Sequence, residues 1–574
     1  MAHFHIKKKK GRPYLYVREI ARVDGRPKVV SQVYLGSPEK VAALAQGPLQ
    51  QDLQLKVEEF GALWLAQLMD QDMDLAGIID EVVPQGPGET GPSVGEYFLY
   101  CVWNRMIEAV SKHRLARWYG RTAIQQIRPV ALDQLSSERY WQKWDRVSEA
   151  DLDRISRRFF ARLWEVEQPE ADCLLFDTTN YYTFMGGGTE SDLAVRGHNK
   201  AGRHQLRQIG LALLVARQSR LPLFWRTYPS NIHDSRLFAE VMQEMFGMVT
   251  QLERTKQRLT VVVDKGMNSE ENFLWLDDHP RMHFVTTYSP HYLEDLMTVP
   301  LDQFAPIEIP RNHRLAEAGE PDEQMLGLRT RGEFWGRERS VVVTWNPPTA
   351  RKQHLMFTRK LDQVRDELLA MRAKVRQRQP QWRDPEAIWE RYFRLCEQLH
   401  VGSDLYDLEF TEDGDAVVMG FRKNAYRVGR SEQRFDKTVI VTDNTDWTTA
   451  EIVTASLDRW QVEDRFRQSK DRDLVSGQPV RHWTDGKIRC HFFSCVAALA
   501  YLRRLELRLK AAGVTRTAAA VMEDMRHLHS VLMLPAGARK PRRRLETPSK
   551  TQEEVLRALG WRVDKGGVLQ RADA

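Results

Sequence analysis

At 574 residues the chain is too long for one compact core, and about 100 to 200 residues per folding unit predicts three or four units. Hydrophobic residues make up 42% and charged residues 28%, which excludes a disordered chain. The net charge of +7 is gathered locally, in "HIKKKKGR" near the start and "RKPRRR" at 539–544, where phosphates could be met.

Five cysteines without a CxxC pair exclude a disulfide framework and a zinc ribbon, and a reducing interior is expected. Cys490, His491 and Cys495 fall in the apolar, helical "RCHFFSCVAAL" and read as core residues. The start lacks the apolar core of a signal peptide, and runs such as "IGLALLVA" are too short to span a bilayer, so a cytoplasmic protein is expected.

In chain order, two β-rich runs around an Asp-Gly turn, "YLYVREIARV" and "RPKVVSQVYLG", predict a hairpin in a small basic β unit over 1–50. Three-to-four apolar spacing in "VGEYFLYCVWNRMIEAV" and "DLDRISRRFFARLWEV" predicts a largely helical N-terminal domain over 51–168, a candidate for binding DNA ends. From 169 to 290 the order predicted is β-β-β-α-β-α-β. It starts at "CLLFD", continues through the pair "LRQIGLALLVA" and "LPLFWRTYP", and includes "RLTVVVD" and "MHFVTTY".

Regularity then breaks, and 291–438 reads as an insertion. Its helix carries Leu361, Val364, Leu368, Met371 and Val375 at alternating spacings of three and four, flanked by strands such as "RSVVVTW" and "DAVVMGFR". A helical segment follows over 439–510, with Thr448 or Thr449 and then Glu451 as its opening cap, and a helical, basic tail occupies 511–574.

Two of the predicted strands end on acids, Asp177 in "LLFDTTN" and Asp264 in "VVVDKGM". A carboxylate after an apolar strand is costly unless it is solvated, paired or bound to metal, so both are candidate ligands. In "LDRWQVEDRFRQSK", Arg459, Glu463, Phe466 and Lys470 share one helical face. From this helix alone an ordinary surface ion pair, worth less than about 1 kcal/mol, is the simpler reading.

The spacing Arg459-x3-Glu463-x6-Lys470 resembles the Y-x2-R-x3-E-x6-K signature of DDE transposases encoded by bacterial insertion sequences. "FDTTNYYTF", "GHNKAGRHQLRQIGLALLV", "YPSNIHD", "VVVDKGMNSEENF" and "RHWTDGKIRCHFFSCVAALAYL" resemble family segments and occur in the family's order. The signature's tyrosine position holds Ser456, which puts in doubt the grip that this tyrosine gives the family on a DNA end.

The resemblance implies an α/β fold, a ribonuclease-H-like mixed sheet with a β-rich and helical insertion between the second aspartate and the glutamate. It implies Asp177, Asp264 and Glu463 as catalytic and metal-binding acids, and Arg459, Lys470, Lys200 and Arg203 as DNA-binding residues. Three acids in one site repel unless cations neutralise them, and hard oxygen donors suit Mg²⁺, with Mn²⁺ as a substitute, as a pair of ions.

The implied activity is cleavage at the terminal inverted repeats of an insertion sequence and joining of the ends to target DNA. The implied partner is double-stranded DNA, bound by a homodimer at the nucleoid. A metal-dependent nuclease of the same fold and a catalytically inactive DNA-binding regulator are the alternatives. Asp234 reads as a helix cap, and Trp335 and Trp345 are candidates for stacking a flipped base.

Overall fold

The apolar runs after residue 172 become strands of one large mixed sheet. The computed structural model describes residues 2–572 apart from 10–11, 24–25, 39–40, 42–53, 171, 187–188, 190, 198–204, 233–235, 237, 240, 245–246, 248–258, 280, 291–292, 414–415 and 535–541. The Asp-Gly turn at 24–25, Lys200, Arg203 and Asp234 thus lie outside the described residues.

At the start, strands β1 (Ala2–Lys9), β2 (Arg12–Val23) and β3 (Arg26–Gly36) form an antiparallel sheet of their own. Strand β4 (Gln54–Glu59) then leads into helices, among them α1 (Val94–Ile107) and α2 (Glu149–Glu167). A capping box opens each of these two helices, from Ser93 with Glu96 and from Ser148 with Asp151.

The large sheet gathers β5 (Cys173–Thr183), β6 (Val195–Arg196), β7 (Arg207–Ala216), β8 (Pro222–Pro229), β9 (Leu259–Val263) and β10 (Met282–Tyr288). To these it adds β11 (Ala305–Pro306), β12 (Leu326–Phe334), β13 (Arg337–Trp345) and β16 (Lys437–Thr442). Its order is β11-β12-β13-β16-β10-β9-β5-β7-β6, with β8 also on β7. β9 runs parallel to both β5 and β10, and the other pairs are antiparallel. The centre is apolar on both faces, and every residue of β9 is buried, as a parallel strand covered on both sides requires.

Residues 291–438 divide between two cores. β12 and β13 belong to the large sheet, because Val341, Val342 and Val343 pair along β16 and are fully buried in its core. The turn joining them has Trp335 at φ 52° and Gly336 at φ 70°, the left-handed pair that a two-residue hairpin needs. Glycine adopts it freely, while Trp335 is held by its ring, stacked 3.8 Å from that of Phe273. That ring is therefore committed to the core, and Trp345 packs at the core's edge.

The second core is formed by helices α3 (Pro347–Arg376) and α4 (Pro385–Leu399) with the hairpin β14 (Tyr406–Asp413) and β15 (Ala416–Lys423). Leu361, Val364, Leu368, Met371 and Val375 are its buried seam, as their spacing predicts.

After β16 come α5 (Thr449–Leu457), α6 (Trp460–Lys470), α7 (Asp485–Ala511) and a helix over Ala518–Arg526. α5 opens on the Thr448–Glu451 capping box. α7 is buried almost all round and packs between α1, α2 and β8, so the helical segment and the sheet share one core.

Charged side chains lock that union. Fully buried Arg504 donates from Nε to Glu167 Oε1 at 2.6 Å, and the Tyr501 hydroxyl donates to Asp70 Oδ1 at 2.5 Å. The C-terminal residues are folded as well: β17 (His529–Leu534) pairs with β4 and with β18 (Arg542–Leu545). Cys490, His491 and Cys495 are buried on α7, and the five cysteines are free. Among the described residues no helix is long and apolar enough to cross a membrane.

Candidate active site

β5 is longer than its apolar run suggests, and Asp177 sits inside it. Pairing with β9 covers only Cys173–Leu175, whereas pairing with β7 continues to Thr183. Asp177 therefore stands just past the end of its parallel neighbour, where one edge of β5 opens. Asp264 directly follows the neighbouring β9, and its side chain makes no capping bond to the turn of 3₁₀ helix after it.

α6 lies across these strand ends and is fixed at both of its own. Before it, Arg217 Nε donates to Asp458 Oδ2 at 2.7 Å, and the Arg220 guanidinium lies 4.8 Å over the Trp460 ring. At its far end Lys470 Nζ donates to Thr179 Oγ1 at 2.7 Å and lies 4.9 Å over the Tyr181 ring, while the hydroxyls of Tyr181 and Ser469 share a hydrogen bond. Val462 and Phe466 bury the inner side. Glu463 and Arg459 are thereby presented to Asp177 and Asp264.

These residues line one open cavity of about 700 Å³, together with Thr178, Thr179, Phe466, Arg467, Lys470 and Asp471. Arg459 is its hub. One guanidinium nitrogen, Nη1, lies 3.2 Å from Asp264 Oδ1 and 4.0 Å from Asp177 Oδ2, and the other, Nη2, lies 3.4 Å from Glu463 Oε1. The acids are graded in exposure, with side chains 15% exposed at Asp177, 27% at Asp264 and 55% at Glu463.

Burial pushes the Asp177 carboxyl up from an ordinary 3.8 to about 6. Arg459 and the Thr178 backbone N–H oppose the rise, and Asp264 and Glu463 add to it. A raised carboxyl costs stability wherever it is ionised: the cost is absent below pH 3.8, grows between 3.8 and 6, and reaches about 3 kcal/mol above 6. Asp177→Asn is thus expected to stabilise the metal-free protein at pH 7.5, by a margin that closes between pH 6 and pH 4. Unfolding curves in chelator across that range measure it, and a margin independent of pH would exclude a strained Asp177 carboxylate.

Among the described residues no group of three His, Cys, Asp or Glu side chains could hold a metal ion as the side chains stand. The donor chemistry nevertheless fits a hard divalent cation: three carboxylates face one solvent-open cavity, with a cationic guanidinium now drawn among them. An ion would have to displace Arg459 from the acids.

Of the sequence-predicted site residues, Asp177, Asp264, Glu463, Arg459 and Lys470 come together here. Thr179 and Arg467 also line the cavity, and the sequence reading does not single them out. The signal for Thr179 was its place two residues after Asp177, on the same face of the strand. For Arg467 it was one helical turn after Glu463.

Residues 176–501, more than half the chain, match the family model described as a transposase DDE domain, an interval that includes all five residues. The chain belongs to the transposase DDE domain family. Among solved structures, a piggyBac transposase in a synaptic complex with hairpin DNA is similar over 82% of each chain, at 8% identity and a TM-score of 0.36. That likeness is too distant to carry any feature of this transposase. Comparison with curated proteins finds no match.

Proposed function

We propose that this transposase cleaves DNA at the terminal inverted repeats of a bacterial insertion sequence and joins the liberated ends to target DNA, with Asp177, Asp264 and Glu463 as its catalytic acids. The observation that supports this best is the convergence of three carboxylates from β5, the end of β9 and α6 on one open cavity, beside two cations on the same helix. The solvent-open cavity suits an extended polyanion better than an enclosed small molecule.

In this reading the acids hold divalent cations, Mg²⁺ with Mn²⁺ as a substitute and two of them during reaction. Bound there, such ions supply the positive charge that stabilises in-line displacement at a phosphodiester. Arg459 does two tasks in turn. In this structure it neutralises the acids; with cations held by the acids it would be free to donate to a phosphate beside the cut. Lys470, steadied by Thr179, presents its ammonium to a second phosphate.

Water attacks the phosphorus at the element's end, the P–O3′ bond breaks, and a 3′-hydroxyl is released. That hydroxyl then attacks a target phosphorus, and the target strand's own 3′-oxygen leaves. No covalent bond to the protein forms at either step.

The order of the central strands, with parallel β5, β9 and β10 beside antiparallel β7 and β8, supports a ribonuclease-H-like catalytic unit from 169–290 and 439–510. Residues 291–438 stand between the second aspartate and the glutamate as its insertion. The helical 51–168, with the basic units 1–50 and 511–574, is assigned to recognising the ends. Lys200 and Arg203 are further DNA contacts. Two copies, one per end, would work at the nucleoid.

Ser456, half-buried at the end of α5, stands where the signature has tyrosine, and its short side chain cannot stack on a base. Purified protein, Mg²⁺ and duplexes carrying the element's own ends should give 3′-hydroxyl ends and joined products. Cleavage without joining would assign the nuclease alternative, and binding without cleavage the regulator.

A further inference from the structure

One peptide bond separates two cavities of opposite character. Asp471 lines the acid cavity, and Arg472 lines a second one of about 1070 Å³. Its walls are the stretch 105–114 at the end of α1 and the stretch 472–491 after α6, closed by Glu523 and Arg526. The two walls are tied together: Arg105 Nη1 donates to the carbonyls of Val475 and Ser476 at 2.7 and 2.9 Å, and the Val475 N–H returns a bond to the Arg105 carbonyl. The same loop is fastened to β5 through the Val480 N–H and the Tyr182 carbonyl, so the basic wall is held rigidly to the strand that bears Asp177.

The charges there do not balance. Of the three acids on the lining, Glu108 and Glu523 are both engaged by Arg526, at 2.6 and 3.3 Å, which leaves Asp473 against the three arginines that follow. Among the described residues Arg114, Arg472 and Arg481 have no carboxylate partner, though each is exposed on this lining. Behind them His482 is only 7% exposed, and its Nδ1 has no hydrogen-bond partner. A rigid concavity with three unpaired guanidinium groups against one free carboxylate calls for an anion.

We infer that this second cavity binds the phosphates of the DNA strand that passes through the acid cavity, with Arg114, Arg472 and Arg481 as its contacts. The inference rests on the transposase reading for its ligand. A strand carries a phosphate for every ~3.4 Å of duplex rise, so one seated against Asp177 and Glu463 brings its neighbours to the adjoining wall. Such a site would fix the strand's direction across the acids and hold DNA on the far side of the cut after cleavage.

The test is DNA binding by the full-length protein and by its R114Q/R472Q/R481Q variant, read by fluorescence anisotropy of a labelled duplex over a salt series. Each lost phosphate contact lowers the slope of log K against log salt by ~0.9, so a drop of about two to three is expected with the melting temperature unchanged. An unaltered slope and affinity in the variant would overturn the site while leaving the transposase reading intact. If the unsubstituted protein binds no duplex at all, the transposase reading falls and takes this ligand with it. In a second arm, inorganic phosphate that stabilises the unsubstituted protein but not the variant, with equal DNA slopes, would give the cavity to a small free anion and overturn the DNA assignment.

Discussion

Replacing Asp177 or Asp264 by asparagine, or Glu463 by glutamine, is expected to lower Mg²⁺-dependent strand cleavage by at least about 10³-fold while leaving duplex binding as tight or tighter. The amide keeps the shape of each side chain and removes only a negative charge, so the fold has no cause to fail. What is lost is a hard anionic donor, and several kcal/mol of charge stabilisation at the reacting phosphodiester is a factor of about 10³ or more in rate. Binding is expected to move the other way, because each acid would repel the DNA backbone that the proposed function has Arg459 and Lys470 attract. The geometry ranks the three for folding but not for chemistry. Asp177, the most buried, gains stability on substitution, whereas Glu463, more than half exposed, should show almost none. Cleavage persisting at near the unsubstituted rate in any one variant removes that residue from the catalytic set.

Arg459→Gln is expected to weaken cleavage by about 100- to 1,000-fold, the range seen when one preorganised donor to a developing charge is removed. It should at the same time tighten binding of divalent cations in the absence of DNA. The two effects have one origin. In the DNA-free protein the guanidinium lies within 3.2 to 4.0 Å of all three acids and competes for their charge. Remove it, and a cation meets less competition; but the phosphate loses the partner that Arg459 becomes once it has been displaced. Calorimetric Mn²⁺ titration and single-turnover cleavage separate these. Weaker cation binding in the variant would mean that Arg459 organises the acids and does not compete for them.

Much of this architecture is written locally. The alternation of three and four in Leu361 to Val375 specifies the buried seam of α3, and Thr448 with Glu451 specifies the start of α5. Runs such as "LTVVV" name buried strands because four apolar residues in five, mostly β-branched and bounded by polar ones, fit a short strand covered on both faces. What the local pattern could not show depends on partners far away in the chain. Asp177 reads as a strand end, since "TTNYYT" is polar, yet β7 pairs with it through Thr183. "RSVVVTW" reads as a strand in either case, and only its pairing with β16 assigns it to the large sheet. The helical segment reads as separate because nothing in its periodicity tells that Glu167 and Asp70 meet Arg504 and Tyr501 on α7.

The site follows the same division. The Arg459–Glu463 pair is visible as a four-residue step on one helix, and taken alone it is an unremarkable surface contact. Its meaning changes because Arg217 and Lys470 clamp α6 over β5, which brings Asp177 and Asp264 to the same guanidinium. Thr179 was overlooked for the same reason: a hydroxyl on an alternate strand position matters only once Lys470 arrives beside it.

The claim on which the rest depends is that Asp177, Asp264 and Glu463 jointly hold divalent cations when DNA occupies the cavity. Crystals of the protein with Mn²⁺ and a duplex of the element's end, measured at a wavelength where manganese scatters anomalously, test it directly. Anomalous peaks within coordination distance of all three carboxylates, with Arg459 turned to a phosphate, are the predicted result. Manganese bound elsewhere, with Arg459 still among the acids and the duplex in place, would contradict it.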